Sequence, residues 1–347
     1  MQIAAVGRAL PTHYYPQEEL AAALRTLWSG RFHNPRRLDE IHRNVLVGGR
    51  HLALPIEAYE RLTGFGDANA AFIACGLELG ERALREALEG AGLRPEAIDH
   101  VFSVSVTGIA TPSLDARLVN RMKLRTDVKR TPIFGLGCVG GAAGIARATD
   151  YLRAYPDEIA VLLSVELCSL TLQRGDTSIA NVIASGLFGD GAAAVVLCGE
   201  DVAAVGPRVV ATRSVFYPDT EHVMGWEVGD GGFRIVLSAD VPEMAAGLRP
   251  DVERFLGDAC LRLADVDLFI CHPGGPKVLE AIESALSLPP DALRRSWEHL
   301  ERVGNLSSAS VLFVLGDAIA ENPPPGTYGL LLAMGPGFCS ELVLLQW

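Results

Sequence analysis

One cysteine stands where its type and setting could do chemistry. In Ile133-Phe134-Gly135-Leu136-Gly137-Cys138-Val139-Gly140-Gly141 an apolar strand breaks at glycines and a small-residue helix begins. A thiol at a helix N-terminus sits in positive potential, which favours the thiolate and predicts a pKa drawn toward neutrality. Cys138 therefore reads as a nucleophile, which needs a base or cation nearby. His272 is the best candidate. It ends the run Leu268-Phe269-Ile270-Cys271 and enters Pro273-Gly274-Gly275, so its ring projects beyond a sheet edge, where α/β folds place ligand sites. The plainer reading is a turn histidine bonded to backbone.

Asn305, in Gly304-Asn305-Leu306-Ser307-Ser308, has the sequence setting of a helix cap. Beside a nucleophile its amide N–H becomes an oxyanion donor. In hydrolytic Cys-His-Asn systems asparagine orients the histidine instead, and spacing leaves both roles open. Phe188, bracketed by glycines in Gly186-Leu187-Phe188-Gly189-Asp190-Gly191, is either core or the wall of a ligand channel, with small Cys168, Thr171 and Ser185 upstream. Arg31, Arg36, Arg37, Arg43 and Arg50, with Lys277, form a basic set that could meet phosphates or simply face water. Gly335-Pro336-Gly337-Phe338 reads as a turn.

The elements that must carry these residues follow from composition and periodicity. With 347 residues, 49% of them hydrophobic and 21% charged, the chain can bury a large core. A net charge of −12 argues against nonspecific nucleic-acid binding. There is no apolar run of about 18 residues to span a membrane, and Met1 to Leu10 lacks a signal-peptide pattern. Seven cysteines without CxxC spacing point to a reduced, cytoplasmic protein without zinc.

Apolar strands alternate with amphipathic helices, which predicts an α/β fold. Expected strands are 99–106, 131–137, 159–165, 190–198, 206–214, 232–238, 267–272, 327–334 and 341–346. Expected helices are 68–91, 114–123, 140–154, 241–264, 275–286, 291–301 and 307–320. A weak repeat sets Ala97-Ile98-Asp99-His100-Val101-Phe102 against Ala264-Asp265-Val266-Asp267-Leu268-Phe269. It divides the chain into halves 1–200 and 201–347 and places Cys138 and Asn305 just before equivalent helices, facing each other across a pseudo-twofold axis.

Five segments in this order resemble the type III polyketide synthases, the chalcone and stilbene synthase branch of the thiolase superfamily. They are Gly135 to Gly141, Gly186 to Ala192, His272-Pro273-Gly274-Gly275-Pro276, Gly304 to Ala309 and Gly335-Pro336-Gly337. The resemblance implies a homodimer with a five-layer αβαβα thiolase-like fold in two pseudo-duplicated halves. It implies Cys138 as the acyl carrier, with its thiolate held by a His272 imidazolium. It implies His272 and Asn305 as the pair promoting malonyl decarboxylation, and Phe188 as gatekeeper between a coenzyme A tunnel and the reaction cavity. Cavity positions become Val106, Thr107, Cys168, Thr171, Ile235 and Ser307, with Gly225 or Trp226 at another. The family's second gating phenylalanine is replaced by Ile235, with Phe233 two residues earlier. Glu40 and Asn44 fall near basic coenzyme A contacts of the plant enzymes, leaving Arg37 and Lys277 as substitutes.

The implied activity is iterative decarboxylative Claisen condensation of malonyl-coenzyme A onto an acyl-coenzyme A starter, with no metal or redox cofactor. Val165-Glu166-Leu167-Cys168-Ser169-Leu170-Thr171 is similar to bacterial members that use fatty acyl starters to make alkylpyrones or alkylresorcinols. Alternatives are a ketoacyl synthase initiating fatty-acid synthesis, a papain-like hydrolase, and a noncatalytic thiolase-fold subunit that only binds a partner.

Overall fold

The computed structural model describes residues 1–31 and 35–347. Nine strands form one mixed sheet. Its order is Leu268–Cys271, Tyr328–Gly335, Cys339–Gln346, Arg208–Phe216, Gln2–Ala9, Asp190–Cys198, Ile159–Leu167, His100–Val104 and Lys129–Ile133.

One succession of pairings occurs twice in this sheet. Leu268–Cys271 runs parallel to Tyr328–Gly335, which is antiparallel to Cys339–Gln346, itself antiparallel to Arg208–Phe216. His100–Val104 runs parallel to Ile159–Leu167, which is antiparallel to Asp190–Cys198, itself antiparallel to Gln2–Ala9. The two copies join where Gln2 faces Arg208.

Strands buried on both faces explain the unbroken apolar runs in the sequence. In Ile159–Leu167, Leu162 turns to the central core while Val161 and Leu163 turn outward onto Leu79, Ala83 and Leu84 of the helix Phe65–Gly90. In the second copy, Leu331 and Val343 face the centre, while Leu330, Leu342 and Leu344 meet outer helices through Phe255, Leu279 and Leu300. Between the copies lie the helices Gly140–Ala154 and Ser310–Ala320, buried around most of their circumference. Helices apolar on all sides belong inside, and glycine and alanine at 140–144 let this pair pack closely. Helix, sheet, helix, sheet, helix makes the expected five layers.

Local departures have physical reasons. The expected strand 232–238 forms Gly232–Leu237, outside the large sheet, in a hairpin with Met224–Gly229, a strand absent from the sequence reading. The expected helix 241–264 is two, Val241–Ala246 and Arg249–Asp258, because Pro250 starts a helix and cannot continue one. The helices Gln17–Leu27, Pro35–Asn44 and Ile179–Leu187 were also unanticipated. Leu20, Leu24 and Leu27, at helical spacing, carried the signal for the first of them.

Candidate active site

Each half delivers one tight turn to the middle of the molecule. The 3-10 turn Gly137–Val139 leads directly into Gly140–Ala154, and Ser307–Ala309 leads into Ser310–Ala320. Both turns begin in the left-handed region, with φ +54° at Gly137 and +50° at Ser307. The register makes Ser308 the counterpart of Cys138, with Asn305 three residues earlier, so the sequence pairing of Cys138 with Asn305 is shifted. Gly137 cannot carry a side chain, because a Cβ would lie 2.5 Å from the Pro336 ring. Gly335-Pro336-Gly337 is therefore packed on the cysteine turn.

A cavity of about 500 Å³ gathers Cys138, His272, Asn305, Ser307, Gly225, Trp226, Ile235 and Phe188. His272 follows the short strand Leu268–Cys271, and its backbone N–H extends the parallel ladder to the Leu332 carbonyl at 2.8 Å. The ring is buried, and neither ring nitrogen has a hydrogen-bond partner among the described residues. Asn305 is buried with its amide orientation fixed: Oδ1 accepts from the Ser307 backbone N–H at 2.8 Å, leaving Nδ2 to donate. That Nδ2 lies 3.4 Å from the Gly274 carbonyl, two residues past His272. Cys138 keeps part of its surface open, and its Sγ lies 3.8 Å from Ser307 Oγ.

The electrostatics run against the sequence expectation. Burial pushes the Cys138 thiol up to about 12, and the charge of Glu166 adds to this, against hydrogen bonds from Ser307 and Asn305. Burial pushes His272 down to about 3. Burial thus favours the neutral form of each group, against the thiolate and imidazolium that the resemblance implied. The helix terminus is where the sequence placed it, but desolvation outweighs it.

A second chamber of about 680 Å³ adjoins the first. Thr107, Cys168, Phe188, Trp226 and Ile235 line both, so the two chambers meet at these residues. Thr171 lines only the second chamber, and Gly225 and Ser307 only the first. Trp226 pairs with Ile235 across the hairpin, and Phe233, packed against Phe65 and Trp226, also lines the second chamber. The Thr107 hydroxyl is committed, donating to Glu166 at 2.9 Å and accepting from the Leu167 N–H at 2.9 Å. Glu166, raised to about 7 by burial despite its donors, also accepts from the Val106 N–H and from Ser308. Val106 lines the first chamber.

The basic set does not act together. Exposed Lys277 and Asn44 mark the open end of the first cavity, whereas Arg37 is not among its lining residues. Arg31, Arg36 and Arg43 are exposed, and Arg50 is buried against the second chamber. Sequence reasoning missed this inward turn of Arg50, its partner Gln17, and the leucines of Gln17–Leu27 that wall the chamber.

Comparison with known proteins gives this geometry relatives. Residues 1–201 match the family model of chalcone and stilbene synthases, N-terminal domain, and residues 208–347 match the C-terminal domain. The chain is 54% identical to 1,3,6,8-tetrahydroxynaphthalene synthase of Streptomyces peucetius subsp. caesius, covering 99% of this chain and 93% of that protein. It is 34% identical to phloroglucinol synthase of Pseudomonas fluorescens, covering 97% and 96%. The crystal structure of 1,3,6,8-tetrahydroxynaphthalene synthase from Streptomyces coelicolor, a bacterial type III polyketide synthase, superposes with a TM-score of 0.95 at 32% identity, covering 100% and 99%.

Proposed function

The chain belongs to the chalcone and stilbene synthase family of type III polyketide synthases, acyltransferases that condense malonyl-coenzyme A, and on that premise we propose how its residues divide the work. Cys138 carries the growing acyl chain. As Sγ attacks the starter thioester, neutral His272 takes the thiol proton and returns it to the departing coenzyme A thiolate. Malonyl-coenzyme A then loses CO₂, and the electrons of the broken C–C bond pass into an enolate. The enolate oxygen accepts hydrogen bonds from a His272 N–H and from Asn305 Nδ2. The enolate carbon attacks the Cys138 thioester, forming a C–C bond and releasing the Cys138 thiolate, which is reprotonated. The extended chain returns to Cys138 for another round.

The observation that carries this reading is the fixed amide of Asn305. With Oδ1 held by the Ser307 N–H, only a donor is left to serve the site beside His272. Preorganised donors of this kind stabilise charge that appears only in the transition state. Phe188 gates passage between the two chambers. Lys277, exposed at the open end, meets coenzyme A phosphate, with Arg37 of Pro35–Asn44 as a second contact. Homodimerisation is supported by the half-exposed edge strand Lys129–Ile133 and by exposed Phe134 beside it. Seven free cysteines fit a reduced cytoplasm. Among the described residues no helix is long and apolar enough to cross a membrane.

For the product, the 54% identity supports a tetrahydroxynaphthalene, built on this reading from malonyl-coenzyme A alone. A second reading, a fatty acyl starter giving an alkylpyrone or alkylresorcinol, is favoured by the second chamber, whose wall includes Leu20, Leu24, Leu27, Leu52 and Leu62. Mass spectrometry of products from malonyl-coenzyme A alone and from a panel of acyl-coenzyme A starters decides between them. Aromatic product from malonyl-coenzyme A alone supports the first, and turnover that requires a long acyl starter supports the second. Thioester hydrolysis without chain extension overturns both.

A further inference from the structure

The gate and the enolate donor are joined through the backbone. Phe188 and Asn305 form an isolated parallel bridge. The Asn305 N–H donates to the Leu187 carbonyl at 2.9 Å, and the Gly189 N–H donates to the Asn305 carbonyl at 2.9 Å. Leu187 is also the last residue of the helix Ile179–Leu187, so its carbonyl is one the helix leaves unpaired.

Two side chains from elsewhere take the carbonyls on either side of it. Arg50 Nη1 donates to the Phe188 carbonyl at 2.7 Å, and Gln17 Nε2 donates to the Gly186 carbonyl at 2.8 Å. Arg50 Nε donates to Gln17 Oε1 at 3.2 Å, which locks the two together. Three consecutive carbonyls, 186 to 188, are thus held by Gln17, Asn305 and Arg50. The slot for Arg50 is cut by glycines. A Cβ at Gly304 would lie 2.6 Å from the Leu187 carbonyl oxygen and 3.3 Å from Arg50 Cγ and Cδ. One at Gly189 would lie 2.5 Å from the Val303 carbonyl oxygen.

A cation is expensive to bury, and Arg50 is only 4% exposed. What retains it is the match of a planar guanidinium to a helix C-terminus, where carbonyl oxygens gather negative potential. Asp190 contributes an opposite charge nearby.

We propose that Arg50, locked by Gln17, is a positioning residue that sets the Phe188 gate and the Asn305 donor as one unit. The inference rests on the roles given to Phe188 and Asn305 above. Arg50 serves decarboxylation and chain passage, and has no part in the thiol chemistry of Cys138.

The test separates three readouts in Arg50→Met, Arg50→Lys and Gln17→Met. These are acylation of Cys138 by intact mass, CO₂ release from malonyl-coenzyme A, and the distribution of product lengths. In Arg50→Met, acylation stays within about twofold, while kcat for CO₂ release falls about tenfold or more with little change in KM, short of the loss from removing the donor itself. Product lengths shift in the same variant. Arg50→Lys recovers part of the loss, because an ammonium reaches one carbonyl but not also Gln17. Gln17→Met gives a smaller loss of the same kind, and supplies the test if Arg50→Met does not fold. Acylation and CO₂ release falling together with the melting temperature overturn the proposal, as does no change in CO₂ release. Asn305→Ala keeps the two levels apart: if that variant still decarboxylates normally, the site reading fails, whereas loss there with normal Arg50 variants sinks this inference alone.

Discussion

The two turns at the centre of the molecule share a backbone and differ in what their side chains face. Gly137–Val139 and Ser307–Ala309 have the same left-handed start and the same helix behind them. Cys138 opens onto a cavity with an imidazole that has no hydrogen-bond partner among the described residues and a fixed amide donor. Ser308, its counterpart, is fully buried, donates to Glu166, and shares a hydrogen bond of 2.8 Å with Ser164. Equivalent positions at equivalent helix termini thus hold the proposed nucleophile in one half and a structural hydroxyl in the other. What separates the two positions is access to the cavity, not the helix terminus they share.

The sharpest way to break this comparison is to exchange its chemistry. Cys138→Ala should remove starter loading altogether, seen as no acyl adduct by intact mass, while Ser308→Ala should load normally. An adduct on Cys138→Ala would end the nucleophile assignment. Next in size, Asn305→Ala should load starter but release CO₂ from malonyl-coenzyme A about a hundredfold more slowly, the usual cost of one oxyanion donor. Failure of loading in that variant would mean Asn305 serves the cysteine instead.

The thiol itself provides a third test. With the Cys138 pKa pushed up to about 12 by burial, the thiolate fraction is far from saturation near neutrality. Alkylation by iodoacetamide should therefore climb about tenfold per pH unit between roughly pH 7 and 9, since the thiolate is the nucleophile. A plateau below about pH 8 would show that substrate-free His272 and the helix terminus hold a thiolate after all, restoring the sequence expectation.

That expectation shows where sequence reasoning reaches and where it stops. The layers were legible because buried strands such as Ile159–Leu167 must be apolar throughout, and because Gly140 to Gly144 read as a helix start of small residues. Cys138, His272 and Asn305 were legible as a set because motif order carries them. The effect of burial on their pKa values was not, since desolvation depends on everything that closes over a cavity. Arg50 was misread for the same reason. Its place in a basic run suggested a solvent face, while its environment is made by Gln17, Gly189 and Gly304, far apart in the chain. The hairpin Met224–Gly229 with Gly232–Leu237 was half seen: Met224, Trp226 and Val228 do alternate with Gly225, Glu227 and Gly229, but two glycines in six residues weaken the strand signal.

The smallest effect belongs to the structural member of the pair. Glu166 is held up to about 7, against an ordinary 4.5, because burial penalises its charge more than its donors favour it. Between those values the folded chain keeps a proton that the unfolded chain has released, so stability falls as pH rises through that window and is level above it. Asp190, raised to about 6, acts in the same direction over a lower range. His42, lowered to about 4, and His272 and His299, lowered to about 3, act oppositely. They stay neutral in the fold, so stability falls as pH drops below about 6.5. Replacing Glu166 by Gln isolates one contribution, because the fixed difference in hydrogen bonding does not vary with pH. Measured against Glu166→Gln, the melting temperature of the native chain should drop between about pH 5 and 7 and then hold constant. A gap independent of pH would mean that the Ser308 and Thr107 hydroxyls and the Val106 N–H keep this carboxylate ionised throughout. The two turns would then differ by a buried charge as well as by access.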